Sequence, residues 1–339
     1  MFNRREFLVA TALAGCIAAG PAAAADPVDM QAAKAEGKVV WYTSTPIETA
    51  QKISNLFQKE TGIRVELFRS GGSAILSRFQ QELAAGRVMV DLLTHSDPAA
   101  AASMTKKGLF VPFKPANFDK VPDAAKDAGG NYVAQRLNMM TILVRTDKLP
   151  AADIPKSWAE LTDAKYRNKL ITTDPAFTSL QVSVVGMIAK NLGWDYYEKL
   201  RKNDMMVVPG NQQIADNLKR AERLIAVGNA DSYAADARKE GHPIATVFPT
   251  DGLFVIPSPS HVVKGSPNPN AAKVFATFML SDAVQRLFPT EDGNYAARAD
   301  MPPPTGNPEL GKIRIIPVDF DYIERETPRI KKRFAEIFS

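Results

Sequence analysis

Apolar positions along the chain change their period repeatedly, and each change predicts an element. "KVVWYT" (Lys38–Thr43) is a β-rich apolar run, and after it Ile47, Ala50, Ile53, Leu56 and Phe57 recur at helical spacing through residues 46–62. Strands follow at 64–68 and 90–94, with helical patterns at 73–86 and 98–108. The next part repeats the theme: a long strand at 138–146, then strands at 169–173, 205–209 and 225–228, trailed by helical patterns at 179–193, 211–224 and 229–241. Strands at 244–249 and 253–258, a helix over 270–288, a Pro-rich surface loop at 301–308 and a helical segment at 319–338 complete the order. Alternation of strand and helix predicts an α/β fold with parallel pairing, in which ligands gather beyond the carboxyl ends of the strands. The polar loops "TSTP", "RSGGS" and "HSD" lie there.

The first 25 residues read differently. Arg4 and Arg5, an apolar run from Phe7 to Gly20, and Ala23-Ala24-Ala25 make a secretory signal with an Ala-x-Ala cleavage site. "RREFL" resembles a twin-arginine export signal, a pattern that ordinary export signals share. Cys16, the only cysteine, closes a lipobox-like "LAGC". Two outcomes therefore stand: cleavage after Ala25 and a soluble periplasmic chain, or a lipoprotein anchored at Cys16. Neither leaves an internal disulfide. Removing 25 of the 339 residues leaves 314, enough for two lobes, and lowers the net charge from +5 to +4. That excess suits an acidic small ligand; no basic cluster with interleaved aromatics points to nucleic acid.

Adjacent Tyr196 and Tyr197 suggest ferric iron, whose hard charge suits phenolate oxygens. Yet Leu192, Tyr196 and Leu200 recur at helical spacing with Trp194 and Tyr197 on an adjoining stripe, which predicts a packing role. Lys331, Lys332 and Arg333 read as the solvated face of the last helix.

The segments "VVWYTS", "FQKETGIRVELFRSGGSAILSRFQQE", "VDLLTHSD", "KKGLFVPF", "PKSWAEL" and "NPNAAKVFATFMLSDAVQRL", in this order, resemble the type 2 periplasmic solute-binding proteins of ABC importers, in the cluster that includes ferric-binding proteins. The resemblance implies two α/β lobes with the ligand cleft between them: 26–137 and 257–339 for the first lobe and the C-terminal helices, 138–256 for the second. It also implies hinge crossovers near 137–144 and 254–258. At the positions of that cluster's iron ligands this chain carries Thr45-Pro46, Ser96 and Asp231-Ser232, so the ligand set is missing. At the positions that hold the accompanying anion it carries Thr178, Ser179, Asn211 and Asn229.

The candidate ligand-binding residues are accordingly Thr43, Ser44, Thr45, Ser70, Gly72, Ser73, Ser96, Thr178, Ser179, Asn211, Asn229, Asp231, Ser232 and Tyr233. Helix N-termini supply unpaired N–H groups and partial positive charge for an oxyanion, and Gly71 and Gly72 allow amides to approach it. Thr45-x-x-Glu48 with Pro46 also reads as a capping box, and Ser70–Ser73 as a βα turn. Thr178, Ser179 and Asn211 also read as caps; Asp231 either caps its helix or faces an ammonium group on a zwitterionic ligand. Tyr233 either stacks on ligand or packs in the core, and Arg69 either forks an acid group or is structural. His95, His242 and His261 have no metal-ligand spacing, His95-Ser96-Asp97 is no plausible nucleophile pair, and no catalytic signature, metal site or cofactor motif is present. The expected function is capture of a small oxyanion-bearing solute by a monomer that docks on a permease with ATPase subunits. A ferric binder with a non-standard ligand set and a sensory binding protein are the alternatives.

Overall fold

The structure, a computed structural model, describes residues 25–339. The expected export segment, with Cys16, lies outside the described residues apart from Ala25. Met30–Glu36 (α1), Lys38–Thr43 (β1), Ile47–Thr61 (α2), Arg64–Arg69 (β2), Gly72–Ala84 (α3), Leu92–Thr94 (β3) and Pro98–Lys106 (α4) build the first lobe. Val133–Arg145 (β4) crosses to Leu170–Thr173 (β5), Ser179–Leu192 (α5), Asp195–Lys202 (α6), Met206–Val208 (β6), Asn211–Lys219 (α7), Ile225–Ala230 (β7), Ser232–Lys239 (α8) and Ile244–Val247 (β8). Leu253–Val262 (β9) returns to Pro269–Met279 (α9), Asp282–Leu287 (α10), Tyr295–Ala296 (β10) and Ile315–Ile316 (β11), and Phe320–Phe338 (α11) ends the chain.

Local chemistry explains the punctuation. Asp97 accepts from Ala100 N at 3.0 Å to start α4, with Pro98 in the first turn. Helix α2 stops at Gly62, whose φ of 77° lies where a side chain is strained. The strands run in the order β2-β1-β3-β9-β4-β7-β5-β6. Within the lobes β1 pairs parallel with β2 and β3, and β5 with β6 and β7, as strand–helix alternation predicts. The crossovers depart from that expectation, because β3–β9, β4–β9 and β4–β7 are antiparallel.

Strands β4 and β9 serve both lobes. One end of β9 pairs with β3, one end of β4 with β7 and β8, and the pairs Leu137↔Pro257 to Met140↔Phe254 lie between. The predicted crossovers at 137–144 and 254–258 fall inside these strands. Pro257 and Pro259 carry no amide hydrogen, Pro259 O accepts from His95 N at 3.2 Å on the β3 side of β9, and the register shifts between Ala134 and Leu137. Asn138 Nδ2 stitches the gap by donating to Ile256 O at 2.7 Å and Ser258 Oγ at 2.9 Å.

Each lobe keeps its own apolar core. Trp41, Ile53, Phe57 and Phe275 anchor the first; Trp158, Leu161, Tyr166 and Leu200 anchor the second. The last helix parts from the returning chain: Ile323, Ile330 and Phe334 of α11 join the second lobe's core, against Gly186 of α5. Lys106 of α4 reaches back to Asp321 and Glu324 through surface ion pairs. Tyr196 and Tyr197 are buried, their rings edge to face at 5.2 Å, with Phe334 against Tyr197 at 5.6 Å. Tyr197 packs α6 on α11 and both tyrosines have the expected packing role, but Leu192, the first member of the expected stripe, ends α5 and is exposed. Of the basic run, Lys332 is exposed while Arg333 pairs with Glu198 at 2.8 Å.

Candidate ligand cleft between the lobes

A cavity of about 510 Å³ opens between the lobes, a size suited to a small solute. Its first-lobe wall comes from the loop before α2 and the start of α3: Ser44, Pro46, Ile47, Arg69, Gly71, Gly72 and Ser73, with Ser96 after β3. Its second-lobe wall comes from the starts of α5, α7 and α8: Phe177, Thr178, Ser179, Gly210, Asn211, Gln212, Ser232 and Tyr233. Arg136 and Asn138 of β4, with Asp236, Asp292 and Asn294, complete the lining.

Of the sequence-derived candidates, Ser44, Gly72, Ser73, Ser96, Thr178, Ser179, Asn211, Ser232 and Tyr233 thus meet around one space. The Ser44 hydroxyl is buried without a partner, and no side chain caps α3, α5, α7 or α8, so their first amides are uncommitted to local capping. Asn211 is the first residue of α7 and not its cap; its Oδ1 accepts from Thr173 Oγ1 at 2.7 Å. The lobes touch here, for Ser179 Oγ donates to Ser96 O at 3.2 Å. A Cβ on Gly72 would stand 3.7 Å from that same oxygen, an ordinary contact, so Gly72 lies directly against Ser179.

Five candidates do not line the space. Thr43 and Thr45 are fully buried, and Thr45 Oγ1 receives Gln135 Nε2 at 2.5 Å and Arg136 Nη1 at 2.9 Å. The predicted capping box is therefore not formed: Pro46 stands at the N-cap, and the Thr45 hydroxyl serves β4 instead. Ser70 turns aside, its amide held by Thr43 O, and α3 starts two residues later. Asn229 lies buried in β7, its Oδ1 bound by the amide of Ala230. Asp231 makes no side-chain cap on α8 and does not line the cavity. It points to the C-terminal loop, where Asn307 Nδ2 donates to Oδ2 at 3.0 Å and Oδ1 has no partner. Burial pushes its carboxyl up to about 8.

The residue that dominates the site is one the sequence reading passed over. Arg136 is 3% exposed, lines the cavity, and has no ion-pair partner within 4.0 Å among the described residues. Nη1 goes to Thr45 and Nε has no partner. Burial works against its charge, and Asp292 is the main group favouring it. A polar triplet, Gln135, Arg136 and Asn138, in an otherwise apolar strand was the available signal. Arg69, weighed as ligand or structural, donates from Nε to Thr45 O at 3.2 Å and also lines the cavity. Asp236, Asp292 and Asn294 were also missed, and "EDGN" reads as an ordinary turn.

His95 and His261 are buried behind the site, rings stacked at 5.2 Å, with Phe110 on His261 at 3.9 Å. Burial pushes His95 down to about 3 and His261 well below its ordinary value. Neither lines the cavity. Among the described residues no group of three or more His, Cys, Asp or Glu is placed to hold a metal ion, and no helix is long and apolar enough to cross a membrane.

The model of the family described as bacterial extracellular solute-binding protein matches residues 88–326. A putative 2-aminoethylphosphonate-binding periplasmic protein of Salmonella typhimurium is 25% identical over 259 residues, 73% of each chain. The iron-bound HitA of Pseudomonas aeruginosa superposes with a TM-score of 0.77 at 18% identity, covering 88% of this chain and 99% of its own. AfuA of Actinobacillus pleuropneumoniae, with fructose-6-phosphate bound, gives 0.77 at 20% identity over 89% and 98%. At these identities the two structures establish the two-lobe type 2 binding fold.

Proposed function

The chain belongs to the bacterial extracellular solute-binding proteins, and from that premise we propose that its cleft captures a small oxyanion-bearing solute, a phosphonate, sugar phosphate or carboxylate, for import. It is the periplasmic binding component of an ABC transporter. The observation that carries the oxyanion reading is Arg136: a buried guanidinium facing a cavity without a carboxylate bound to it leaves a large desolvation cost that an anionic ligand offsets. The starts of α3, α5, α7 and α8 around the same space add amides and partial positive charge. The phosphonate named for the Salmonella relative supports the class.

In this reading the lobes of a monomer bend at 137–144 and 254–258, and the solute favours the closed form by touching both walls. The loaded form docks on a membrane permease coupled to ATPase subunits and hands the solute over unchanged. A thermal-shift screen of phosphonates, sugar phosphates, carboxylates, polyols and ferric iron tests the assignment. Stabilisation by one oxyanion class, lost in Arg136→Met, is expected; stabilisation by polyols or ferric iron alone overturns it.

A further inference from the structure

Two guanidinium groups line the cleft, and one residue that does not line it takes a hydrogen bond from each. Arg69, at the exposed end of β2, donates from Nε to Thr45 O at 3.2 Å, and Arg136, buried in β4, donates from Nη1 to Thr45 Oγ1 at 2.9 Å. Neither arginine has an ion-pair partner within 4.0 Å among the described residues. Burial first, and the Arg69 charge to a smaller extent, oppose the Arg136 charge, so the two groups interact. Like charges beside one space repel, and neighbours have to impose their placement.

Thr45 is built to impose it on Arg136. It is fully buried just ahead of α2; its amide donates to Thr43 Oγ1 at 3.0 Å, and its hydroxyl stands 2.8 Å from that same oxygen. Gln135 Nε2 donates to Thr45 Oγ1 at 2.5 Å beside Arg136 Nη1, so the hydroxyl takes two donors from β4. The main chain of β4 is fixed separately: Gln285 Nε2 donates to Gln135 O at 2.9 Å, and Ala296 of β10 pairs with Arg136. Backbone placement is thus secured without Thr45, whose hydroxyl acts on side chains. Several rotatable bonds separate the Arg136 charge from that strand, and Thr45 Oγ1 is the one hydrogen-bond acceptor of the guanidinium among the described residues. The acceptor is also neutral. A carboxylate in its place would hold the guanidinium by cancelling its charge; a hydroxyl sets direction and leaves the charge for an incoming anion.

We propose that Thr45 is a positioning residue for solute capture, its hydroxyl aiming the Arg136 guanidinium into the cleft without neutralising it. The inference rests on the oxyanion reading and is independent of which oxyanion binds. Thr45→Val and Thr45→Ala remove the hydroxyl and keep the carbonyl used by Arg69, whereas Thr45→Ser keeps both. Calorimetric titrations use ethylphosphonate, fructose 6-phosphate and succinate, one probe for each oxyanion class. For a probe that the parent binds, Thr45→Val and Thr45→Ala should raise Kd at least about tenfold, the scale of one hydrogen bond to a charged group, and Thr45→Ser should stay within about threefold of the parent. Side-chain nitrogen NMR of the unliganded proteins separates aiming from mere support of the fold. Distinct Nη resonances of a held Arg136, present in the parent and in Thr45→Ser, should average together in the other two variants while their melting temperatures hold. An unchanged Kd in a folded Thr45→Val or Thr45→Ala, distinct Arg136 resonances in both, or unfolding of both overturns the positioning role and leaves the oxyanion reading intact. No heat from any of the three probes in the parent, with no oxyanion active in the wider screen, removes both.

Discussion

Ser179 Oγ, in the first turn of α5, donates to the carbonyl oxygen of Ser96 across the cleft at 3.2 Å. One hydroxyl thus belongs to both the lobe contact and the cavity wall. Ser179→Ala should weaken binding of the best oxyanion by about threefold to tenfold, the scale of one hydrogen bond, in a calorimetric titration. The unliganded melting temperature should move little. An unchanged Kd would remove Ser179 from the site.

Arg136 leads to an opposite pairing of effects. Its guanidinium is buried with Thr45 Oγ1 as its hydrogen-bonded partner, so the unliganded protein carries a poorly compensated charge. Arg136→Met should abolish oxyanion binding and leave the unliganded melting temperature equal or higher. A large fall in that temperature would mark Arg136 as a structural residue instead.

Asp231 sets a stability trend at neutral pH. Its folded carboxyl titrates at about 8 against an ordinary value of 3.8, so between these values the folded state binds more protons than the unfolded one. Stability therefore falls as pH rises through this window. Asp231→Asn should remove the fall, with a gain on the order of 2 kcal/mol at pH 8 that shrinks toward pH 4 in urea melts. A constant difference across that range would refute the assignment.

The stacked histidines act in the opposite direction. Both are held neutral by burial, His95 down to about 3 against an ordinary 6.5. Below pH 6.5 the unfolded chain takes up protons that the folded chain refuses, so stability is full above 6.5 and is lost as pH falls toward 3. His95→Gln should flatten this acid limb relative to the parent in melts at pH 4, 5, 6 and 7. An identical slope would show that other groups govern it.

Periodicity made the elements legible, because Ile53 and Phe57, or Tyr196 and Leu200, carry their spacing in neighbouring residues, although Leu192, four before Tyr196, belongs to α5 and is exposed. Strand ends and helix starts brought Ser44, Ser96, Thr178 and Ser232 into view for the same reason. Charges at the cleft were harder to read. Arg136 is identified by lacking an acidic partner, and that is a property of packing. Asp292 reaches Thr49 across 243 residues and Asn307 reaches Asp231 across 76, separations that no local pattern records. Thr45 misled for a related reason: a hydroxyl three residues before a glutamate fits a cap, but Gln135 and Arg136 compete for it in the folded chain.

Pro257 and Pro259 give the crossover between the lobes an uneven weave. Sheet strands usually resist bending because each flexure strains a row of main-chain bonds; at these two imide nitrogens there is nothing to strain. The lost restraint is partly returned by Asn138, a side chain that yields by rotating about its own torsions. If the lobes bend at this crossover as proposed, the covalent chain would supply compliance at two points, independent of salt, acidity or cargo. Replacing both prolines with residues that bear an amide hydrogen should stiffen the joint, slowing capture and release together while leaving every group that touches the solute in place.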